Sequence, residues 1–569
     1  MQSLAVEATE ARPDGAARPR RRPWCTVPGA VLLLLALYAL VIALGDPRAA
    51  SGSDAGGKLA TVVVMADHGT LVPDVGYWAA EQDPDGDHHP LWNTTRVGDD
   101  WVQATSLPFV AAAVPLYRLA GPFGALLLPM LGGVVAALGA RRLSRLLHGD
   151  EGWAAFWLVG AAGPALFYAG DFWEHAPALG LALLAVSLAL EDDERLTRAA
   201  VTGLLAGVAV VLRAEVVLYG IAFVGATLLV ADERRRVLAQ WRRVVVMAVA
   251  AAVPVVANAV LERALLSGGV RDGRAADSLA GTAGHASSRV TDAALTSVGL
   301  FTDERGAALL LGGVLVLTLA VVGLHLRSPD LVGERVALLA IVVAAGFYAL
   351  RFSTGPGFVP GFAVAVPLAA VGVFAARSAK ERVVLGTALG ALPLVWATAW
   401  SGNHVAQWGG RYLLLSGALL TVLAVGAMER AGWRRPAVVG ILGLTVVAAA
   451  VGAAWHIERT RTVGAAAEAI EGLPADVVVV TDLGHLGREA GAWYPDHRWL
   501  RTVEAGEFAS TAAVARAAGA TGLAVVQVAE AGEPEPESPA LAGYRPVGTV
   551  ERIPFLVGAH LVLQRYEQA

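Results

Sequence analysis

Charge is what this sequence has least of. Only 16% of its 569 residues are Asp, Glu, Lys or Arg, where a soluble domain carries roughly 25%. Lysine is scarcer still: Lys58 and Lys380 stand alone among the 44 basic residues, and the rest are arginine. Cys25 is the single cysteine, which excludes an intrachain disulfide and a thiolate metal cluster. No glycine-rich phosphate loop, dinucleotide fingerprint or nucleic-acid motif occurs. A donor activated by a soluble nucleotide therefore has no visible site, and no nucleic-acid partner or nucleotide cofactor is expected. Internal repeats of the kind that mark inverted-repeat transporters are absent to inspection.

Apolar length is what the sequence has most of. The apolar set makes up 56% of the chain and the mean hydropathy is +0.56. Apolar stretches of bilayer-spanning length recur over the first 455 positions. Candidate spans fall near 27–45, 122–140, 152–170, 174–190, 199–213, 215–231, 243–261, 306–326, 334–350, 359–376, 382–400, 411–428 and 436–455, about thirteen in all. The basic tract ending at Arg22, followed by Val27–Gly45, resembles a signal peptide. Its apolar run is long and no small-residue cleavage site follows at once, so it reads as an uncleaved first span.

Orientation follows from where arginine sits. Arg141, Arg142 and Arg145 follow the second span, Arg195 and Arg198 the fourth, and Arg234–Arg236 with Arg242 and Arg243 the sixth. Arg327, Arg335, Arg377, Lys380, Arg382, Arg430, Arg434 and Arg435 fill the later even-numbered loops. All lie inside if the N-terminus is inside, as the positive-inside rule requires. Ser106–Ala120 is apolar but short, with two prolines and Arg118; counting it as a span would invert this order, so an interfacial or re-entrant helix is expected.

The fold class expected is thus an all-α polytopic membrane protein with a small C-terminal α/β domain outside. Residues 1–26 form a cytoplasmic tail, 27–455 the membrane domain with its external loop 46–105, and 456–569 the external domain. Within the last, Asp476–Asp482 reads as a buried strand, Phe508–Gly519 as a helix, Gly522–Val528 as a second strand and Pro554–Arg565 as a third.

Three polar clusters fall on the outer face. The first external loop carries ten carboxylates against Arg48, Lys58 and Arg96. Such acidity suits a solvated loop, but Asp54, in Ser53-Asp-Ala-Gly-Gly-Lys58, lies just past the first span and ahead of the helix-like run Leu59–Ala66, close to the lipid headgroups. The second cluster is Asp171-Phe-Trp-Glu-His175, a whole interhelical turn; helix capping and interface anchoring would explain it, yet three ionisable residues in five favour function. The third is Asn403-His404-Val-Ala-Gln407-Trp-Gly-Gly-Arg411-Tyr412. Arg411 runs against the positive-inside trend, and a phosphate would suit its guanidinium fork. Arg351 sits at a similar boundary, as does Arg213, which Glu215 is expected to neutralise. His88-His89 beside Asp83, Asp85 and Asp87 match no specific metal motif.

This layout resembles the GT-C superfamily of membrane glycosyltransferases, including protein mannosyltransferases, the aminoarabinose transferase acting on lipid A, and actinobacterial cell-wall glycosyltransferases. The resemblance rests on Ser53-Asp-Ala-Gly, Phe172-Trp-Glu-His175 and Gln407-Trp-Gly-Gly-Arg-Tyr412 and spans the membrane region. The chain departs from the commonest pattern in having Asp54-Ala where many members show Asp-Glu, which leaves the second carboxylate and the use of a divalent metal ion open. The resemblance implies transfer of a sugar from a polyprenyl-phosphate donor to a glycan, lipid or protein acceptor at the outer face of the plasma membrane. Asp54 is then the general base, with Asp171 and Glu174 as further catalytic carboxylates that orient the acceptor or hold a metal. His175, Lys58, Arg351, His404, Gln407, Arg411 and Tyr412 would bind substrate, Arg411 and Arg351 facing the departing lipid phosphate. Trp78, Trp92, Trp101 and Trp408 are candidates for stacking on sugar.

The alternatives are a transporter or lipid flippase, a glycan ligase or polymerase, and a non-catalytic membrane scaffold. The near absence of ionisable residues at span centres argues against the first. The position of the long loops, early in the chain and at 262–305, argues against the second.

Overall fold

The computed structural model describes residues 26–91, 94–103, 106–191, 193–266, 305–353, 361–398, 408–473, 475–481, 486–503, 505–529, 532, 534–555 and 559–569. His404, Gln407 and Trp92 lie outside these. Arg351 falls within a described helix, Glu334–Ser353, but its side chain is outside the description.

Most of the chain is helical. Six described helices are long and apolar enough to cross a bilayer: α1 (Val27–Leu44), α3 (Leu107–His148), α10 (Trp241–Leu265), the stretch Leu310–Arg327 of α11 (Arg305–Arg327), the stretch Arg411–Ala431 and α17 (Pro436–Glu471). The pair α8 (Val216–Leu229) and α9 (Ala231–Ala239), bent by 105°, makes a seventh if taken as one broken span. Helices α6 (His175–Ala189) and α7 (Leu196–Leu212) are apolar but shorter.

Two expected spans are broken. Near 152–170 the chain forms α4 (Trp153–Gly160) and α5 (Ala165–Gly170), separated at Pro164, whose ring and missing N–H interrupt a helix. Near 359–376 it forms α13 (Phe362–Ala365) and α14 (Leu368–Val373), with Pro367 between them. The stretch Ser106–Ala120 is set apart as expected: within α3 the helix is interrupted at Ala120 (φ −145°) and Gly121 (φ +59°, ψ −149°), so the helix from Leu107 ends there and a second one follows.

Side chains outside the bundle are apolar. Leu229, Val249, Leu317, Leu339 and Val342 are each more than 60% exposed, a surface that suits lipid and not water. Between helices, small residues bring backbones together. On α7 a Cβ at Gly203 or Gly207 would lie 2.2 Å from the carbonyl oxygen of Met247 or Ala251 on α10.

The C-terminal unit is a five-stranded mixed sheet in the order β4-β3-β5-β7-β6. Strand β3 (Val477–Thr481) pairs in parallel with β4 (Arg498–Thr502) and β5 (Gly522–Ala529), while β7 (His560–Gln568) pairs antiparallel with β5 and β6 (Tyr544–Pro554). Helix α19 (Phe508–Ala517) packs beside it. The strand expected at Pro554–Arg565 falls on the last residue of β6 and the first part of β7, with 556–558 outside the described residues, and β4 is additional.

This sheet does not hang free. Helix α17 runs unbroken past residue 456 to Glu471, and Val463, Ala466, Ala467 and Ile470 enter the sheet's core beside Val478, Val480 and Trp499. On the other face Val75, Tyr77, Leu91 and Trp101 of the 46–105 loop join Val477, Val479, Leu500 and Phe508 in one hydrophobic cluster. Loop 46–105 and the C-terminal sheet therefore share a core.

Candidate active site

The site begins at α2 (Ser53–His68), which follows α1 after a short turn. Asp54 and Lys58 stand four residues apart and so on one face. Gly56 and Gly57, between them, serve close approach. A Cβ at Gly56 would lie 1.8 Å from the carbonyl oxygen of Arg488, and one at Gly57 2.8 Å from the Gln103 amide. The C-terminal unit thus presses directly on the helix that carries Asp54. A bidentate pair from Arg459 on α17 to Glu489, 2.7 Å at each contact, and a bond from the Ala50 N–H to the Glu489 carbonyl at 2.9 Å hold the same junction.

Two ion pairs organise the centre. Arg411 Nη1 lies 2.7 Å from Asp54 Oδ2. Lys58 Nζ lies 2.7 Å from Glu174 Oε2, and Glu174 also receives Arg213 Nη1 at 3.0 Å. Arg213 Nε in turn donates to Glu215 Oε1 at 2.8 Å, as its sequence neighbourhood leads one to expect. Arg411 Nη2 donates to the Tyr412 hydroxyl at 2.8 Å. Trp173 stands between the pairs, 4.6 Å from Lys58 Nζ and 5.7 Å from the Arg411 guanidinium, positions that suit cation–π attraction. The sequence regions 53–58, 171–175 and 408–412, about 120 and 240 residues apart, meet here.

The carboxylates are not equivalent. The Glu174 side chain is 4% exposed. Asp171 is buried and accepts hydrogen bonds from the Ser51 N–H and hydroxyl, the Phe172 N–H and the Trp173 indole, so it ties the turn after α1 to the turn before α6. Asp54, 25% exposed, is the carboxylate of the three that reaches open space. Burial pushes its carboxyl up, but the facing charges of Arg411 and Lys58 outweigh this and hold it below the usual carboxylate range. His175 is buried, with Nδ1 3.9 Å from Glu215 and Nε2 without a hydrogen-bond partner. It lines a small cleft with Arg213, Glu215, Arg411 and Tyr412.

A divalent ion does not fit this donor set. Asp54 faces two cations, Glu174 is held by two, and Asp171 already accepts from Ser51, Phe172 and Trp173. Among the described residues no group of three or more His, Cys, Asp or Glu is placed to hold a metal. The His88-His89 segment serves packing: the His88 ring meets the Arg501 carbonyl and Thr511, and Asp83 accepts from the Tyr77 hydroxyl and two backbone N–H groups.

Sequence reasoning placed Asp54, Lys58, Asp171, Glu174, His175, Arg411 and Tyr412 among the candidates, and the fold brings these seven together. It missed Arg213 as a member, because a neighbouring Glu215 explains it locally. It also missed the contribution of Gly56 and Gly57, whose adjacency on an otherwise buried helix was the available signal.

No protein-family profile matches the chain, and no curated protein matches it. Among solved structures the chain is similar to the oligosaccharyltransferase of Archaeoglobus fulgidus in complex with Zn and sulfate, at 13% identity over 86% of this chain and 67% of that one, with a TM-score of 0.46. It is similar to ArnT from Cupriavidus metallidurans bound to undecaprenyl phosphate, at 15% identity over 95% and 98%, with a TM-score of 0.40. A third is the archaeal oligosaccharyltransferase AglB from Archaeoglobus fulgidus with an inhibitory peptide and a dolichol phosphate, at 14% identity over 87% and 69%, with a TM-score of 0.43. What this chain's residues do rests on their own geometry.

Proposed function

We propose that the chain is a multi-pass glycosyltransferase of the plasma membrane, with its N-terminus cytoplasmic, that moves a sugar from a polyprenyl-phosphate donor to an acceptor at the outer face. The observation that carries this reading is the Asp54–Arg411 pair: a partly exposed carboxylate and a buried guanidinium, 2.7 Å apart, where apolar helices meet the external unit.

In the reaction an acceptor hydroxyl oxygen bonds to the anomeric carbon of the donor sugar. The bond from that carbon to the phosphate oxygen breaks, and its electron pair stays with the lipid phosphate, which gains a negative charge. The hydroxyl proton passes to Asp54. Arg411 meets the new charge, as a fork of donors suited to phosphate oxygens. The resting ion pair gives this exchange a direction. Once the phosphate draws Arg411 away, Asp54 loses the charge that holds its carboxyl down and becomes a stronger base.

Lys58, Glu174, Asp171 and Arg213 act as positioning residues in this reading. They lock the turn before α6 onto α2, and with it Trp173 between the two pairs. His175 and Tyr412 line the cleft toward the lipid, with Arg351, His404 and Gln407 as further substrate contacts. About thirteen spans, some of them broken or short, enclose the site.

The test uses the purified full chain in nanodiscs with a panel of radiolabelled polyprenyl-phosphate sugars and a membrane glycan extract. Release of polyprenyl phosphate with sugar transfer or hydrolysis supports the reading. Failure to bind or turn over every donor in the panel rejects it.

A further inference from the structure

A second cleft lies at the far end of α2. It encloses about 610 Å³, within the range of small-molecule sites, between the last turn of α2, the loop around Trp78 and the segment that leads into β4. Of the described tryptophans proposed above for stacking, Trp101 and Trp408 are buried at 4% and 3% exposure, and Trp78 is half-buried in this cleft. Its indole N–H donates to the Trp499 carbonyl at 3.0 Å, which fixes the ring plane. The Arg498 guanidinium lies 5.6 Å from the ring centre.

The walls carry both acceptors and donors for hydroxyl groups. Asp67, from the last turn of α2, and Asp496, from the segment before β4, are exposed. His68 and Arg498, also exposed in the lining, add nitrogen donors. A flat aromatic face held rigid, with carboxylates and nitrogen donors around it, matches a neutral polyol with one apolar face. Phosphorylated ligands would meet Asp67 and Asp496, and an apolar peptide would leave those carboxylates facing carbon.

We infer that this cleft is a saccharide subsite. Resting on the glycosyltransferase reading, the inference names the acceptor as an extended glycan. Asp54 sits in the first turn of α2 and Asp67 in the last, and thirteen residues of helix at 1.5 Å each separate them by roughly 20 Å. One rigid rod therefore joins the candidate base to the cleft. A single sugar bound at Trp78 would lie too far from Asp54 to serve both, so an acceptor that uses the cleft and the base together must be an extended glycan.

The experiment is binding of an array of glucan, galactan, mannan and arabinan oligosaccharides to the full chain in nanodiscs. Wild type is compared with Trp78→Ala, with the surface changes Asp67→Asn and Asp496→Asn, and with the control Gly443→Ala, whose new methyl meets nothing within 4 Å. At least one glycan should bind wild type and Gly443→Ala equally, and bind Trp78→Ala and the Asp67→Asn/Asp496→Asn double variant at least about tenfold more weakly. The double variant keeps the test valid if Trp78→Ala fails to fold. Binding of no glycan, or equal binding by the cleft variants, overturns the inference. Because binding is read without turnover, glycan binding with no sugar transfer from any donor would keep the cleft and remove the enzyme reading.

Discussion

Arg411 and Asp54 are 357 residues apart in sequence and 2.7 Å apart in space. In the proposed reaction one cation would serve two anions in turn: the base before the donor arrives and the lipid phosphate afterwards.

The first consequence is a pH dependence. Asp54 must be ionised to accept a proton, and Arg411 and Lys58 hold its carboxyl below the usual range against the opposing effect of burial. Activity per donor-free enzyme, read as kcat/KM, should therefore persist as the pH falls to below the ordinary aspartate value of about 3.9. In Arg411→Gln the main facing charge is gone, so the acid limb should move to higher pH while turnover drops by about 10²–10³. An unmoved acid limb would separate Asp54 from the proton transfer.

Glu174 holds two cations, and each cation has a different alternative. Lys58→Met leaves Glu174 paired with Arg213, whereas Glu174→Gln strands Lys58 in a buried site. Glu174→Gln should therefore lower stability by about 3–5 kcal/mol, Lys58→Met by less, and the double variant by less than the sum. Thermal unfolding in one detergent, arranged as a double-mutant cycle, reads this directly; additivity would contradict the coupling.

Gly56 should tolerate no side chain. A Cβ there would collide with the Arg488 carbonyl, and a backbone contact cannot rotate away. Gly56→Val should cost about 1–3 kcal/mol and expose the sheet unit to protease, with loss of transfer because Asp54 shifts with its helix. Gly443→Ala, with nothing within 4 Å of the new methyl, is the matched control and should be silent.

His89 gives the junction of loop and sheet its own pH response. Its Nδ1 accepts the Leu91 N–H at 3.1 Å and its Nε2 reaches the Gly76 carbonyl at 3.3 Å, an arrangement that needs the neutral ring. Burial pushes its pKa down to about 4. Unfolded histidine binds a proton near 6.5, so the stability it contributes is complete above that pH and is lost as the pH falls toward 4. Protection factors over residues 74–91, corrected for intrinsic exchange at each pH, should fall between pH 7 and 4.5, and His89→Gln should flatten the change.

Much of this was legible in the sequence, and the limits are physical. Apolar length marked the membrane region because a bilayer allows little else. Charge out of place marked the site: Arg411 on the wrong side, and ionisable residues crowded at 171–175. Length alone could not show that Pro164 and Pro367 break their helices. Nor could spacing reveal the partner of each charge. The sequence suits Arg411 to a phosphate, and the fold places Asp54 beside it. The shared core of external loop and sheet was hidden for a similar reason, since Tyr77, Leu91 and Trp101 read as parts of an acidic loop until Val477 and Leu500 are placed against them.

The most direct measurement is sugar transfer from polyprenyl-phosphate donors by the purified full chain, wild type beside Asp54→Asn. The account expects transfer by wild type and a loss of about 10²–10⁴-fold in turnover for the variant, with donor affinity kept because Arg411 is released to the phosphate. Equal transfer by both proteins would contradict the assignment of Asp54.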